Sequence, residues 1–520
     1  METGRNVTMS PHASGASETA YGGKAPLVLA IDQSTSGTKA LLFGGNGELL
    51  GRSDRPHRQK ISENGWVSHN PMEIWENTLL AVKDLLEKTE KAGASKGDIA
   101  ALGISNQRET AMVWNGETGL PIADAVVWHC ARGEGVCREL EQGGRAEAIR
   151  EKSGLPLSPY FSAAKIAWIL QNTSGIPETQ ELRGKKLCAG TMDSWLVYKL
   201  TGGKSFYTDC SNAARTQLFN IREKCWDEEL CRWFGIAPAM LPQVLPSDGY
   251  FGETDLGGIL PRPIPIRGVL GDSNGALFGQ GCLQPGMIKT TYGTGSSVMM
   301  HVGEEPVKSE NGLASSLAWG RKGRTEYVLE GNINYTGSVM KWITEDLGLL
   351  SSPKEAGKVA QSADPEDTAY LVPAFTGLGA PYWKSDVKAV LCGMTRSTGR
   401  AEIVKAAEEC TAYQIADILA LMEEESGIRV SELRVDGGPT RDGYLMQFQS
   451  DILGIPVAVP SLEELSGMGA AYMAGIAAGV YEEELLSRTE RQCFRPKMGA
   501  DRREEKRRGW KQAVEMLLRE

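Results

Sequence analysis

Pro26-Leu-Val-Leu-Ala-Ile-Asp32, running on into Gln33-Ser-Thr-Ser-Gly-Thr-Lys39, decides how this chain is read. Five apolar residues after a proline predict a short buried strand that ends on a carboxylate. The Ser/Thr/Gly stretch behind it is either a plain turn or a phosphate cradle. In the second reading small residues let backbone amides approach an anion, Ser34, Thr35 and Ser36 offer hydroxyls, and Lys39 adds charge. Asp32, at the strand's end, suits a magnesium ion held through water. The stretch lacks the G-K-[ST] ending of a Walker loop and the G-x-G-x-x-G spacing of a dinucleotide fingerprint.

Working outward, Lys39-Ala-Leu-Leu-Phe43 and Glu48-Leu-Leu50 flank Gly44-Gly-Asn-Gly47 and predict a β-hairpin. Pro71 opens an amphipathic helix with Ile74, Leu79, Val82, Leu85 and Leu86 on one stripe. Ile99 to Ile104 predicts a second buried strand, and strands alternating with helices give an α/β class. The theme returns later. Met287-Ile-Lys-Thr-Thr-Tyr292 reads as a strand, Gly293-Thr-Gly295 as a tight loop and Val298 to Val302 as a returning strand. Val435-Asp-Gly-Gly-Pro439 is another strand running into an acid and two glycines, with a helix expected behind it. Each loop alone could be a bare turn. Together they describe a nucleotide held between two similarly built domains, and the prolines of Pro261-Arg-Pro-Ile-Pro265 suggest the boundary.

The bulk numbers agree. At 520 residues the chain exceeds the roughly 250–300 residues at which single cores stop growing. A net charge of −10 argues against nucleic acid or an anionic membrane as partner. The basic cluster Arg502, Arg503, Lys506, Arg507 and Arg508 is interrupted by acids and reads as a solvated helix face. Ten scattered cysteines without a C-x-x-C pair predict reduced, mostly buried thiols. No run approaches the roughly 18 apolar residues of a membrane span. The first 22 residues are polar and lack an apolar leader core, so 1–23 is expected to be a disordered extension of a cytoplasmic protein.

The ordered series Asp32-Gln33, Gly65-Trp-Val67, Asn106-Gln-Arg-Glu-Thr110, Pro159-Tyr-Phe-Ser162, Thr208-Asp209, Gly271-Asp272, Tyr292-Gly-Thr-Gly295 and Asp436-Gly-Gly438 resembles the FGGY carbohydrate kinases. Tyr160, Ser162, Lys165 and Trp168 fit the spacing of the family's first signature. Phe375-Thr-Gly-Leu-Gly-Ala-Pro-Tyr-Trp383 and Leu445-Met-Gln-Phe-Gln-Ser-Asp-Ile-Leu453 point within it to the glycerol-phosphorylating members, and the likeness runs from about residue 26 to the C-terminus.

The resemblance implies two actin-like (ribonuclease H-type) domains flanking an ATP/substrate cleft: 24–267 for substrate and phosphate loop, 268–520 for nucleotide. Their closure would exclude water during transfer. It implies a small polyol substrate, glycerol first, with ATP and Mg2+ as cofactors and a homo-oligomer, dimer or tetramer. Arg108, Glu109, Tyr160 and Asp272 match polyol-binding positions, and Asp272 matches the catalytic base. Thr35, Thr294, Gly337 and Gly438 match ATP contacts, with Ser34, Ser36 and Lys39 on the phosphate loop. Asp32 and Asp272 fall to the metal, and Gly469-Ala-Ala-Tyr472 matches a small-residue helix at the domain junction. Without the resemblance, Arg108 and Glu109 would be a strand-end salt bridge and Asp272 an ordinary loop carboxylate.

Departures from the pattern bear on substrate. Ser273 follows the expected base where Gln is usual, and Ser297 aligns with a usual Phe. Either neighbours such as Trp128, His129 or Asn274 compensate, or the pocket accepts a four- or five-carbon polyol or ketose. Asp442 and Lys341, near the nucleotide, replace a usual Asn and Gln. The bisphosphate-binding loop of some relatives is reduced to Gly257-Gly258, and Arg222 replaces a phosphorylated histidine, which argues against both forms of regulation. Glu408 occupies an apolar signature position. A catalytically silent sensor or scaffold is a third reading, opposed by the retention of Asp32, Asp272 and the glycine loops.

Overall fold

Strand Leu27–Gln33 is buried along its whole length, as its apolar run requires. The computed structural model describes residues 25–173, 186–384 and 386–519; the expected extension 1–23 lies outside the described residues. Two units are present. The first comprises Met1–Gly281, Ser316–Tyr327 and Glu464–Arg488, and the second Cys282–Ser315, Val328–Glu463 and Thr489–Glu520.

A six-stranded sheet organises the first unit, in the order Glu253–Thr254, Ile264–Gly271, Ile99–Asn106, Leu27–Gln33, Gly37–Phe43 and Leu49–Pro56. Leu27–Gln33 is antiparallel to Gly37–Phe43, the expected hairpin arm, and parallel to Ile99–Asn106, which is parallel in turn to Ile264–Gly271. Three adjacent parallel strands therefore end side by side, with Gln33 paired to Asn106 and Asn106 to Gly271. Helix Pro71–Lys91 is capped by the Asn70 side chain and buries Ile74, Val82, Leu85 and Leu86 against the sheet's core. A second sheet takes Lys60–Ile61, Val67–His69, Ala125–Val126, Ala111–Asn115 and Leu187–Thr191.

The Pro261–Pro265 stretch is no boundary. Ile264 and Pro265 pair with Thr254 and Glu253 and lead into a central strand, so the first unit continues past 267 to Gly281. Gly469–Tyr472 lies on helix Leu465–Ala477, which belongs to the first unit. An added Cβ on Gly103 or Gly268 would strike the Ala470 carbonyl, and one on Gly469 would strike Gly275. Only glycines allow this helix so close to the sheet.

In the second unit the sheet order is Ala314–Arg321, Arg324–Ile333, Ser296–Gly303, Ile288–Tyr292, Leu433–Gly437, Val457–Pro460 and Arg491–Phe494, with Ser316–Tyr327 counted to the first unit. Ile288–Tyr292 is antiparallel to Ser296–Gly303 and parallel to Leu433–Gly437. That arrangement repeats the hairpin and parallel neighbour of the first unit. The basic run lies on helix Ala500–Leu518, where Lys506 is largely covered and faces Glu409 at 3.7 Å, so the face is less solvated than expected. All ten cysteines are free and seven are buried, in keeping with packing thiols. Among the described residues no helix is long and apolar enough to cross a membrane.

Candidate functional site

In the first unit the carboxyl ends of the three parallel strands gather the expected acceptor and metal residues. Open α/β sheets bind ligands at such ends. Asp32 is the last residue but one of its strand, Arg108 and Glu109 follow the next, and Asp272 follows the third as the first residue of helix Asp272–Gly279. Arg108 Nε lies 3.5 Å from Asp272 Oδ1 and 4.0 Å from Glu109 Oε1. The Ser273 amide donates to Asp272 Oδ1 at 2.7 Å. Gly271 has no room for a side chain, because a Cβ there would press on the Arg108 stem at 2.6 Å.

Glu109 carries a left-handed backbone, φ +57°, unusual for a residue with a side chain. Such strain persists where surroundings over-determine it, commonly at functional sites. Here Thr110 N donates to Arg108 O at 2.6 Å across the turn, and Ser162 Oγ donates to Glu109 O at 3.2 Å.

Tyr160 sits in the turn before helix Ser162–Asn172, its ring edge-on to Trp128 at 5.5 Å. The wholly buried Lys165 ammonium donates to the carbonyls of Pro159 (2.7 Å), Tyr160 and Phe161 (3.2 Å), fixing that turn. Burial pulls the Lys165 pKa down to about 7, against the pull of Glu109. His129, beside Trp128, is also held below its ordinary pKa by burial, then by His69 and Lys165. Asn274, the neighbour of Ser273, is buried. Its amide donates to Leu317 O and Ala318 O at 3.0 and 2.9 Å, and its oxygen accepts from Arg108 at 3.4 Å.

The expected phosphate loop is a tight turn in which Ser34 N and Oγ both donate to Gly37 O, at 2.8 and 2.9 Å. The Thr35 hydroxyl accepts from Trp128 Nε1 at 2.9 Å, and Ser36 Oγ is 3.5 Å from Ser34 Oγ. Lys39 is not an unattached cation. Its Nζ donates to Glu464 Oε2 at 2.6 Å and stands 4.0 Å from Asp32 Oδ2. Burial opposes its charge, but Asp32 and Glu464 outweigh burial and raise its pKa. Asp32 itself is pushed up to about 6, first by burial, while Lys39 lowers it and Asp272 and Glu464 raise it. Its Oδ1 is buried and has no hydrogen-bond partner.

That orphaned carboxylate oxygen is the observation that fits Mg2+. The described residues contain no cluster of three metal-binding side chains. Magnesium does not require one, being commonly held by one or two carboxylates with water and substrate phosphates.

In the second unit the expected nucleotide residues occupy the corresponding turn. Gly337 N donates to Gly293 O at 3.0 Å, and Ser338 N donates to Thr294 O at 3.1 Å. The two backbones cross so closely that a Cβ on Gly337 would lie 2.8 Å from Gly293 O. Gly437 has φ +100° and packs on the Tyr292 carbonyl, whereas Gly438 meets nothing within 4 Å, so its surface is open.

Two expected contacts are otherwise engaged. Asp442 caps helix Gly443–Leu453, accepting from Tyr444 N (2.8 Å), Leu445 N (3.3 Å) and Gly357 N (2.9 Å). Lys341 is exposed and pairs with Glu345 at 3.5 Å. Glu408 now has a physical place. It is buried, and burial, then the neighbouring Asp442 carboxylate, raises its pKa well above the ordinary carboxylate range. Ser297 Oγ donates to buried Glu330 at 3.1 Å within this unit.

The sequence reading overlooked Arg215, Glu464 and any role for Lys165. Arg and Lys are almost never fully buried unless paired, but the burial of Lys165 and Arg215, like that of the acid Glu464, shows only in the fold.

Residues 27–279 match the N-terminal domain of the FGGY family of carbohydrate kinases, and residues 288–478 its C-terminal domain. The chain is 47% identical to glycerol kinase 1 of Thermotoga maritima over 95% of this chain and 100% of that one. With the glycerol kinase of Symbiobacterium thermophilum it shares 46% over 94% and 97%. The crystal structure of Plasmodium falciparum glycerol kinase with ADP superposes with a TM-score of 0.88 at 33% identity, covering 96% of this chain and 99% of that one. On sequence and fold alike, the chain belongs to the FGGY family of carbohydrate kinases.

Proposed function

We propose that this kinase transfers the γ-phosphoryl group of ATP to a terminal hydroxyl of glycerol, giving sn-glycerol 3-phosphate and ADP. One observation carries the reading: Asp272 stands at the end of a parallel strand with its side chain 34% exposed and the Arg108 guanidinium 3.5 Å away. A neutral hydroxyl is a poor nucleophile, and a carboxylate within reach accepts its proton as it attacks. The glycerol oxygen bonds the γ-phosphorus, the bond to the β-phosphate oxygen breaks, and the proton passes to Asp272. Arg108 donates to one hydroxyl, Glu109 accepts from its neighbour, and the Tyr160 ring and hydroxyl border the carbons. Relatives matched along their whole length bear the name glycerol kinase, which supports glycerol as the acceptor.

For the donor, Thr294, Gly337 and Gly438 are proposed to bind ATP, with Ser34, Thr35 and Ser36 serving its phosphates. Asp32 would hold the Mg2+ that accompanies ATP and neutralises phosphoryl charge. Lys39, tied to Glu464, adds field more than direct contact. Asp442, the cap of helix Gly443–Leu453, and the exposed Lys341 are proposed to border the nucleotide.

The test is steady-state phosphorylation with Mg-ATP and glycerol, erythritol, threitol, xylitol, ribitol or dihydroxyacetone. We expect glycerol to give the highest kcat/KM. A longer polyol winning by tenfold would overturn glycerol and make Ser273 the first residue to restore to Gln. No turnover on any acceptor would remove the kinase reading altogether.

A further inference from the structure

We propose that Arg215 is a positioning residue for the acceptor, fixing the Glu109 carboxylate from behind; this rests on the reading that Glu109 binds a hydroxyl. Arg215 is 1% exposed and its Nε donates to Glu109 Oε1 at 2.6 Å. Its guanidinium lies 5.1 Å from the ring centre of Phe161, the neighbour of Tyr160. A planar fork stacked on an aromatic face and bonded to a carboxylate has little freedom, a geometry that lysine cannot copy.

The stretch bearing Arg215 is itself anchored to the strand ends. Asp209 caps helix Cys210–Ala213 by accepting from Ser211 N and Asn212 N, both at 2.9 Å. Ser211 Oγ then accepts from Gly271 N at 3.1 Å, next to Asp272. Asn212 and Asn106 exchange amide hydrogen bonds at 2.9 and 3.0 Å. One short segment thus grips the strands that carry Glu109 and Asp272, and Arg215 extends that grip to the left-handed Glu109 turn. A residue that only stabilised the fold would not need to meet the strained residue through its carboxylate.

The test compares R215M, R215K, E109Q and the double variant E109Q/R215M by KM for glycerol, KM for ATP, kcat and thermal midpoint. We expect R215M to raise KM for glycerol at least tenfold with KM for ATP within twofold. R215K should recover part of the loss, and the double variant should be no more than twofold worse than the poorer single. If E109Q raises KM for glycerol while neither Arg215 variant does, the positioning role is overturned and the acceptor reading stands. If E109Q leaves KM for glycerol unchanged, the acceptor reading of Glu109 fails first. A loss in R215M spread equally over both substrates marks a structural role only. Should R215M not fold, R215K decides by the same split.

Discussion

The indole Nε1 of Trp128 donates to the Thr35 hydroxyl across 2.9 Å, tying an aromatic neighbour of Tyr160 to the loop expected to serve the phosphates. Trp128→Phe keeps an aromatic ring but loses the pyrrole part of the indole and with it this hydrogen bond, itself worth about 1 kcal/mol. We expect its KM for glycerol and its KM for ATP to rise together, by about three- to tenfold, because one bond joins both neighbourhoods. A rise in the glycerol value alone would show that the loop does not depend on the indole.

Asp272→Asn retains shape and loses the proton acceptor. Turnover should fall by about 10²–10⁴-fold, the usual worth of a positioned base. ATP binding, followed by calorimetry, should remain within threefold of the unaltered protein. Residual kcat above a few per cent would assign the base elsewhere.

Asp32 gives a pH signature. Its pKa is pushed up to about 6 by burial, with Asp272 and Glu464 adding and Lys39 opposing. In the protein without nucleotide it therefore takes a proton below about pH 6, and kcat/KM for Mg-ATP should fall there. Stability runs the other way. Between pH 3.8 and about 6 the folded chain holds a proton that the unfolded chain has lost, so stability falls as pH rises through that window. Asp32→Asn should flatten this part of the urea-midpoint profile by one titrating group, leaving the contribution of Asp193, also raised to about 6 by burial.

Adjacent glycines should behave oppositely. At Gly437, φ +100° and the nearby Tyr292 carbonyl leave no place for a methyl group. Gly437→Ala is expected to cost more than ~3 kcal/mol by unfolding titration. Gly438 meets nothing within 4 Å, so Gly438→Ala should change stability by under ~1 kcal/mol. If Gly438 faces ATP, that second variant raises KM for ATP while leaving the melting midpoint in place.

Local sequence revealed whatever is encoded locally. The apolar run before Asp32, the Gly44–Gly47 hairpin between Gly37–Phe43 and Leu49–Pro56, and the proline-led helix at Pro71 all follow from neighbours within a few residues. Asp272 and Arg108 were legible by resemblance, and pairing of distant strands explains why they meet. The prolines at 261–265 misled because a proline can equally begin a strand beside a short antiparallel partner. Arg215 stayed hidden because its partner lies 106 positions away, and Glu464 because it reaches Lys39 across 425. Asp442 entered the nucleotide set through the resemblance alone, and its place as the cap of helix Gly443–Leu453 shows only in the fold.

The late return of Glu464–Arg488 to the first unit has a consequence for biosynthesis. Helix Leu465–Ala477 fills the glycine-lined floor beneath strands Ile99–Asn106 and Ile264–Gly271, so during translation that floor stays bare until residues 465–477 have left the ribosome. Nascent chains stalled before residue 464 should expose it to chaperones, and those stalled well beyond residue 488 should resist protease.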